Sequence, residues 1–493
     1  MRLKVLHRCI YVMMLLSVSL LRFSVSSAQE DADRSWRYGF RRSDEAEGGQ
    51  VLSYAYKLVA YTLDGQTAEV MSIQLAEPSR PPYGFDLYPL DAEHHLLWVN
   101  DANGGSLYAL NGPTATLIDT QVVEKPIIIS VYGVIDYRYP YTVLDSMSGP
   151  IILDLETHSA EIPDSLAASP TFDCCFITPD NKLQYVAEEN VNGVVFKRFR
   201  QRDLQTDEET VLMEFPPALT SMSVNRADGR WLFSISNQDF SSVEMVVWNT
   251  DGDQHWESFS TAMHFQWLGN NLYWAAYQCP KDCPLSLEAP DGEINTYTVD
   301  FPTNPQDPGR YFIPYALRPD GSLIGELSNP SEWVKISPDG TLQSFGFHKN
   351  GQKLTEPSGG SLISLDGRYV AVTTDLETED FAIIDTETGE AVISSTTEGW
   401  SPASFVVINI IYHDHGFALS GIGDEPVLLY HRTSDQHRFD FLPGLNIVET
   451  SDDSTLLTYR WQDTYENGDL VLYNLDTGQI RVVVENLQPF FID

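Results

Sequence analysis

The sequence predicts an all-β protein, a β-propeller of four-stranded antiparallel blades. Three observations carry this. A β-hairpin with a tight Asp-Gly or Thr-Gly turn recurs about every 46 residues, as in LVLYNLDTGQIRVVV (Leu470 to Val484). A second class of hairpin lies between these, so each period holds four strands. Apolar residues come in short alternating runs, the period-two signal of half-buried strands. A strand-built repeat of this length is the mark of a propeller.

The outer hairpins turn at Asp64-Gly65, Asn111-Gly112, Glu156-Thr157, Gln205-Thr206, Asp251-Gly252, Asp291-Gly292, Asp339-Gly340, Thr388-Gly389, Ser434-Asp435 and Thr477-Gly478, spaced 40 to 49 residues apart. Asp-Gly and Asn-Gly supply the positive φ that tight hairpins need. The turns near Thr157, Thr206 and Asp435 are placed mainly by spacing. Inner hairpins alternate with them: FDLYPLDAEHHLLWVN, CCFITPDNKLQYVAE, MSVNRADGRWLFSIS, MHFQWLGNNLYWAAY, YALRPDGSLIGEL, GSLISLDGRYVAVTT, FVVINIIYHDHGFALS and IVETSDDSTLLTYRW, with a ninth between Ile127 and Leu144. The polar run Arg41 to Gln50 reads as a loop.

The count comes to about ten units, above the usual four to eight blades. A seven- or eight-bladed ring with insertions and two smaller rings are the alternatives. The N-terminal segment lacks an inner strand. The tail Leu487 to Ile492 could return to supply it, making residues 29–493 one closed assembly whose two ends meet in one blade.

Two features resemble the WD-repeat and TolB-like propellers. One is the Pro319-Asp320-Gly321 turn after an inner strand. The other is the outer hairpin written Val247-Trp248-Asn249 and Tyr473-Asn474-Leu475-Asp476-Thr477-Gly478. The resemblance is architectural and implies the fold; fold alone does not carry function.

Residues 1–28 read as a secretory signal. Arg2, Lys4 and Arg8 precede an apolar stretch from Ile10 to Leu21, and Ser26-Ser27-Ala28 suits cleavage after Ala28. The apolar stretch is short for a span, which needs roughly 20 residues. The expectation is a secreted or periplasmic protein with no membrane span after cleavage.

The chain of 493 residues carries a net charge of -40. This excludes nucleic acid as an expected partner, because phosphate requires a basic surface. It suits solubility, a salty medium, or a cationic or basic partner.

Cys279-Pro-Lys-Asp-Cys283 falls at the middle turn of a blade, where a disulfide would staple the loop. Cys174 and Cys175 open another inner strand, and their partners stay open. His94 and His95, with Asp91 and Glu93, and His413 and His415, with Asp414, lie in inner-hairpin turns. They are weak metal candidates, since such clusters can bind zinc. The segment Asp463 to Asp469 has part of the oxygen spacing of a calcium loop, so calcium is a possible cofactor, although a plain Asn467-Gly468 turn explains the same residues. No other cofactor is expected. Aromatic residues such as Tyr273, Trp274 and Trp461 are assigned mainly to packing between blades. Some rings at a channel mouth could stack on sugars or peptides.

No nucleophile elbow, metalloprotease helix, phosphate loop or dinucleotide fingerprint is present. The expected function is therefore a scaffold that binds a protein or small ligand at a propeller face. The alternative is a hydrolase of the lactonase or glycosidase type, with carboxylates and a divalent cation at the central channel.

Overall fold

The computed structural model describes the chain from Ser35 to Pro489 apart from interruptions, the longest being 75–84, 119–130, 163–174, 302–310 and 395–408. The signal segment and its cleavage site lie outside the described residues.

The fold is that of a β-propeller: all-β, with ten four-stranded antiparallel sheets among the described residues. Blade 1 joins Arg37–Arg42, Ala55–Tyr61 and Thr67–Gln74 to the late strand Gln488–Pro489. Blade 2 runs Phe85–Pro89, His94–Asp101, Gly104–Asn111 and Thr114–Leu117. Blade 3 runs Val131–Arg138, Tyr141–Ser146, Ile151–Asp154 and Ser159–Glu161. Blade 4 spans Cys175–Ile177 to Glu209–Phe215, blade 5 Leu219–Val224 to Gln254–Phe259 and blade 6 Met263–Leu268 to Ile294–Val299. Blade 7 spans Phe312–Leu317 to Leu342–Ser344 and blade 8 Glu356–Pro357 to Glu390–Ser394. Blade 9 spans Asn409–His413 to Gln436–Leu442 and blade 10 Leu445–Asp452 to Ile480–Val484.

The chain divides into two compact units, Asn225–Phe441 and Ser26–Val224 with Leu442–Ile492. Within each unit the core lies between successive blades, and strand alternation builds it. In blade 2, Leu96 joins the cluster with Leu144 and Leu153 of blade 3, while its neighbour Leu97 joins Leu58 and Ala60 of blade 1. In blade 1, Val59 and Tyr61 turn instead to Leu457 and Leu470 of blade 10. The other unit repeats the device: Leu272 and Trp274 pack on Leu232 of blade 5, and Tyr273 packs with Phe312 and Leu323 of blade 7. Successive side chains of a strand project to opposite faces, so each strand serves two inter-blade cores. A fully buried Leu stabilises by roughly 1.5–3 kcal/mol, which makes these seams the main source of stability.

Local chemistry explains the turns. At Ser337 to Gly340 the Gly340 amide donates to the Ser337 carbonyl at 2.9 Å, with φ at +82°. In the outer turns of blades 3, 4, 8 and 10 an Asp or Asn opens the turn and accepts amides two or three residues on. Asp154 takes Glu156 and Thr157, Asp203 takes Gln205 and Thr206, Asp385 takes Glu387, and Asn474 takes Thr477. These are Asx turns. In blades 3 and 4 His158 and Asp207 occupy the left-handed position that Gly389 and Gly478 take elsewhere. The missing glycine is why those two turns carry a weaker signal in the sequence.

Turns also tie blades together. Asn225 Nδ2 donates to the Gly269 carbonyl at 3.2 Å, Arg318 donates to Thr386 and Glu387 at 2.8 and 2.9 Å, and Arg481 donates to the Leu63 carbonyl at 2.8 Å.

Ten four-stranded sheets among the described residues answer the ten outer hairpins read from the sequence. The tail strand pairs antiparallel with Arg37–Arg42, Gly39 opposite Pro489 and Phe40 opposite Gln488. Two local expectations are corrected. The Arg41 to Gln50 run contains the end of a blade 1 strand and part of a small hairpin, Ala46–Glu47 paired with Gln50–Val51. Asn467 and Gly468 do not form a turn; they begin the strand Asn467–Asn474. A Cβ at Gly468 would lie 2.5 Å from the Arg460 carbonyl oxygen and from the Tyr459 ring, so the glycine serves a close approach within the sheet.

Candidate functional site

Of the described candidate residues, Asp91, Glu93 and His94 share the inner hairpin of blade 2, which meets that of blade 3. In blade 2 the chain turns over Leu90 to Glu93 and re-enters the sheet at His94. The Asp91 carboxylate organises this turn, accepting the Glu93 and His94 amides, each at 2.7 Å. It also reaches the His94 ring, with both oxygens 3.0 Å from Nδ1. The matching hairpin of blade 3 turns at Tyr139-Pro140 and brings two more side chains. The Tyr137 hydroxyl donates to Asp91 Oδ2, and the Tyr139 ring stacks on His94 at 4.6 Å and 29°.

The electrostatics follow from these contacts. Burial alone would raise the Asp91 carboxyl. The hydrogen bonds from Tyr137, from the Glu93 and His94 amides and from the His94 ring together hold it below the ordinary value. The Tyr137 hydroxyl is pushed up, first by burial and then by Asp91, with smaller contributions from Tyr139 and Glu93. It is therefore a firm donor at neutral pH. Both Asp91 oxygens thus engage His94 Nδ1 and fix the orientation of its ring. The His94 side chain stays 18% exposed. Tyr139 is 50% exposed.

His95 points the other way, as strand alternation requires. It is buried, meets the Tyr38 ring of blade 1 edge-on at 4.9 Å, and its Nδ1 has no partner among the described residues. Burial pushes it down to about 4, helped by Arg37 and His94 and opposed by Asp91. His94 and His95 therefore serve different seams and do not form a pair.

His413 ends a strand opposite Gly416, and His415 lies outside the described residues. Among the described residues no group of three or more His, Cys, Asp or Glu side chains could hold a metal ion. Cys283 begins the third strand of blade 6 and is buried; Cys279 and Cys174 lie outside the described residues. Cys175 is a buried thiol on the inner strand of blade 4. Among the described residues no helix is long and apolar enough to cross a membrane.

Sequence reasoning found His94 and its acidic neighbours but missed Tyr137 and Tyr139, which lie more than forty residues further along the chain. The run Tyr137-Arg138-Tyr139-Pro140-Tyr141, with three rings around a proline turn, is the available signal.

The fold and site together define a β-propeller with a polar-aromatic rim cluster. No protein-family model matches the chain, and no curated protein matches it. Solved structures resemble it at low identity. Porphyromonas gingivalis dipeptidyl peptidase 4 is 8% identical, over 77% of this chain and 64% of that one, with a TM-score of 0.43. Oligogalacturonate lyase in complex with manganese is 14% identical over 70% and 95%, with a TM-score of 0.34. Virginiamycin B lyase from Staphylococcus aureus is 13% identical over 59% and 92%, with a TM-score of 0.29. The chain thus spans less than two thirds of the length of the dipeptidyl peptidase.

Proposed function

We propose that this chain is an exported β-propeller scaffold that binds a protein or small ligand, and that the rim formed by blades 2 and 3 is the binding surface. One observation carries the reading. The half-exposed Tyr139 ring is held against His94, which is itself held by Asp91 and Tyr137, so two neighbouring blades fix one outward-facing ring. A rigid aromatic on a rigid frame loses little entropy on binding, and such residues dominate binding energy at interfaces. Loops carried on stiff blades are the usual place for recognition.

The Asp91–His94 contact also supports a second reading. A carboxylate at Nδ1 orients the ring so that Nε2 can take a proton from water, the arrangement of a histidine general base in a hydrolase. The exposed ring favours binding over hydrolysis, because a stacking platform serves recognition whether or not chemistry follows.

Export after cleavage at Ala28 and a Cys279–Cys283 disulfide belong to the same proposal. The test places a photo-crosslinking phenylalanine at Tyr139 or, as a control, at the exposed outer-strand residue Leu117, in the chain exported by its own cell. A discrete adduct at position 139 that is weak or absent at 117 is the expected result. The mass of the same material should start at Gln29, with the Cys279–Cys283 peptide two hydrogens light. Equal labelling at the two positions would sink the rim reading.

A further inference from the structure

We propose that the blade 2–blade 3 rim takes a guanidinium group, that of an arginine side chain on a partner protein. This deepens the binding reading above and rests on it.

Two groups at the rim stay available after the internal contacts are made. One face of the Tyr139 ring is covered by His94 and the residue is half exposed. The Glu93 carboxylate is exposed on the same turn, close enough to Tyr137 to act on its hydroxyl together with Tyr139. Asp91 is saturated, with donors from two amides, the His94 ring and Tyr137, so it adds negative charge to the cluster without competing for the ligand.

A free ring face and a carboxylate ask for a planar cation rich in N–H donors. A guanidinium stacks on an aromatic face and donates in a fixed fork; an ammonium is a more strongly hydrated point charge that does not stack. An anion would meet two carboxylates. A sugar could lay an apolar face on Tyr139, but it would gain nothing from the charge of Glu93 and Asp91. The net charge of -40 adds a long-range attraction for any cationic partner. The exposed Arg138, which precedes Tyr139 in the chain, carries the opposing charge, so Arg138→Ala is expected to bind more tightly.

The test is calorimetric titration of the mature full chain at physiological salt with a blocked triarginine peptide, with trilysine, tricitrulline and chitotriose as comparisons. Triarginine should bind saturably, and trilysine and tricitrulline about tenfold or more weaker, a factor worth ~1.4 kcal/mol. Tyr139→Ala and Glu93→Gln should each weaken triarginine about tenfold, while Tyr139→Phe, which keeps the ring, should stay within about twofold. Both positions are exposed, and unchanged melting temperatures would show that the fold is intact. Triarginine binding that ignores Tyr139→Ala and Glu93→Gln reflects general acidity and overturns the proposal. So does chitotriose binding lost in Tyr139→Ala while triarginine is unaffected. A crosslink at position 139 without triarginine binding defeats this inference and leaves the rim reading standing; triarginine binding without a crosslink does the reverse.

Discussion

At the scale of single residues, His94 and His95 show how one step along a strand changes a side chain's work. His94 faces the rim, where Asp91 and Tyr139 hold it. His95 faces the seam with blade 1, where it lies against Tyr38 with an unpartnered Nδ1. A buried neutral histidine makes stability depend on pH with a definite sign. Its value falls from 6.5 to about 4 on folding. Above pH 6.5 both states are neutral there and the group has no effect. Between 6.5 and about 4 the unfolded chain binds a proton that the folded chain refuses, so stability falls as pH falls. The full loss is on the order of 3 kcal/mol. Chemical denaturation at pH 7 and pH 4.5 should show this loss in the parent chain and a much smaller one in His95→Phe. Asp91 acts in a separate window. Its lowered carboxyl stabilises above the ordinary carboxylate value of 3.8 and loses that effect only below it.

At the scale of the element, the repeated hairpin owes its regularity to a few demanding positions. Gly340 combines two demands. Its φ of +82° lies in the left-handed region, and a Cβ there would sit 2.0 Å from the Thr298 carbonyl oxygen on the outer strand of blade 6. Backbone cannot move aside as a flexible side chain can. Gly340→Ala should therefore cost about 2–4 kcal/mol. Gly292, with φ at +83° and nothing within 4 Å, is the control. Gly292→Ala should cost only the backbone strain, about 1 kcal/mol. Equal losses in thermal melts of the two variants would show that the packing of turn on strand contributes nothing. The Asx turns follow the same logic from the other side. Where His158 or Asp207 replaces glycine, the opening aspartate supplies hydrogen bonds that keep the turn, so the element survives although its sequence signature fades.

At the scale of the whole molecule, the first and last described strands meet in blade 1. Gln488–Pro489 pairs with Arg37–Arg42, and Leu487 is fully buried in the seam between blades 1 and 10. Arg41 donates to the carbonyls of Glu485 and Asn486 at 3.1 and 3.2 Å. Without the tail the Arg37–Arg42 strand becomes an exposed edge. Removing residues 487–493 should destabilise the chain by at least about 3 kcal/mol, from the loss of Leu487 burial together with the strand pairing. It should also raise its tendency to associate. Denaturant midpoints and light scattering check the two outcomes, and a truncated chain as stable as the parent would show that the latch is dispensable.

The sequence by itself determined the strand content, a repeat of about ten units and the positions of most outer turns. Those properties are written in local chemistry: period-two alternation, Asp-Gly turns and Asx caps act over a few residues. It also singled out His94 with Asp91 and Glu93, because they share one turn. It did not show that His95 belongs to another seam's packing or that Tyr137 and Tyr139 complete the cluster. Only the tertiary structure decided that. The inner hairpins of blades 2 and 3 lie more than forty residues apart in the chain and meet because each blade packs its face against the next. Which side chains then stand together depends on strand register and facing, quantities set by the buried seams between blades.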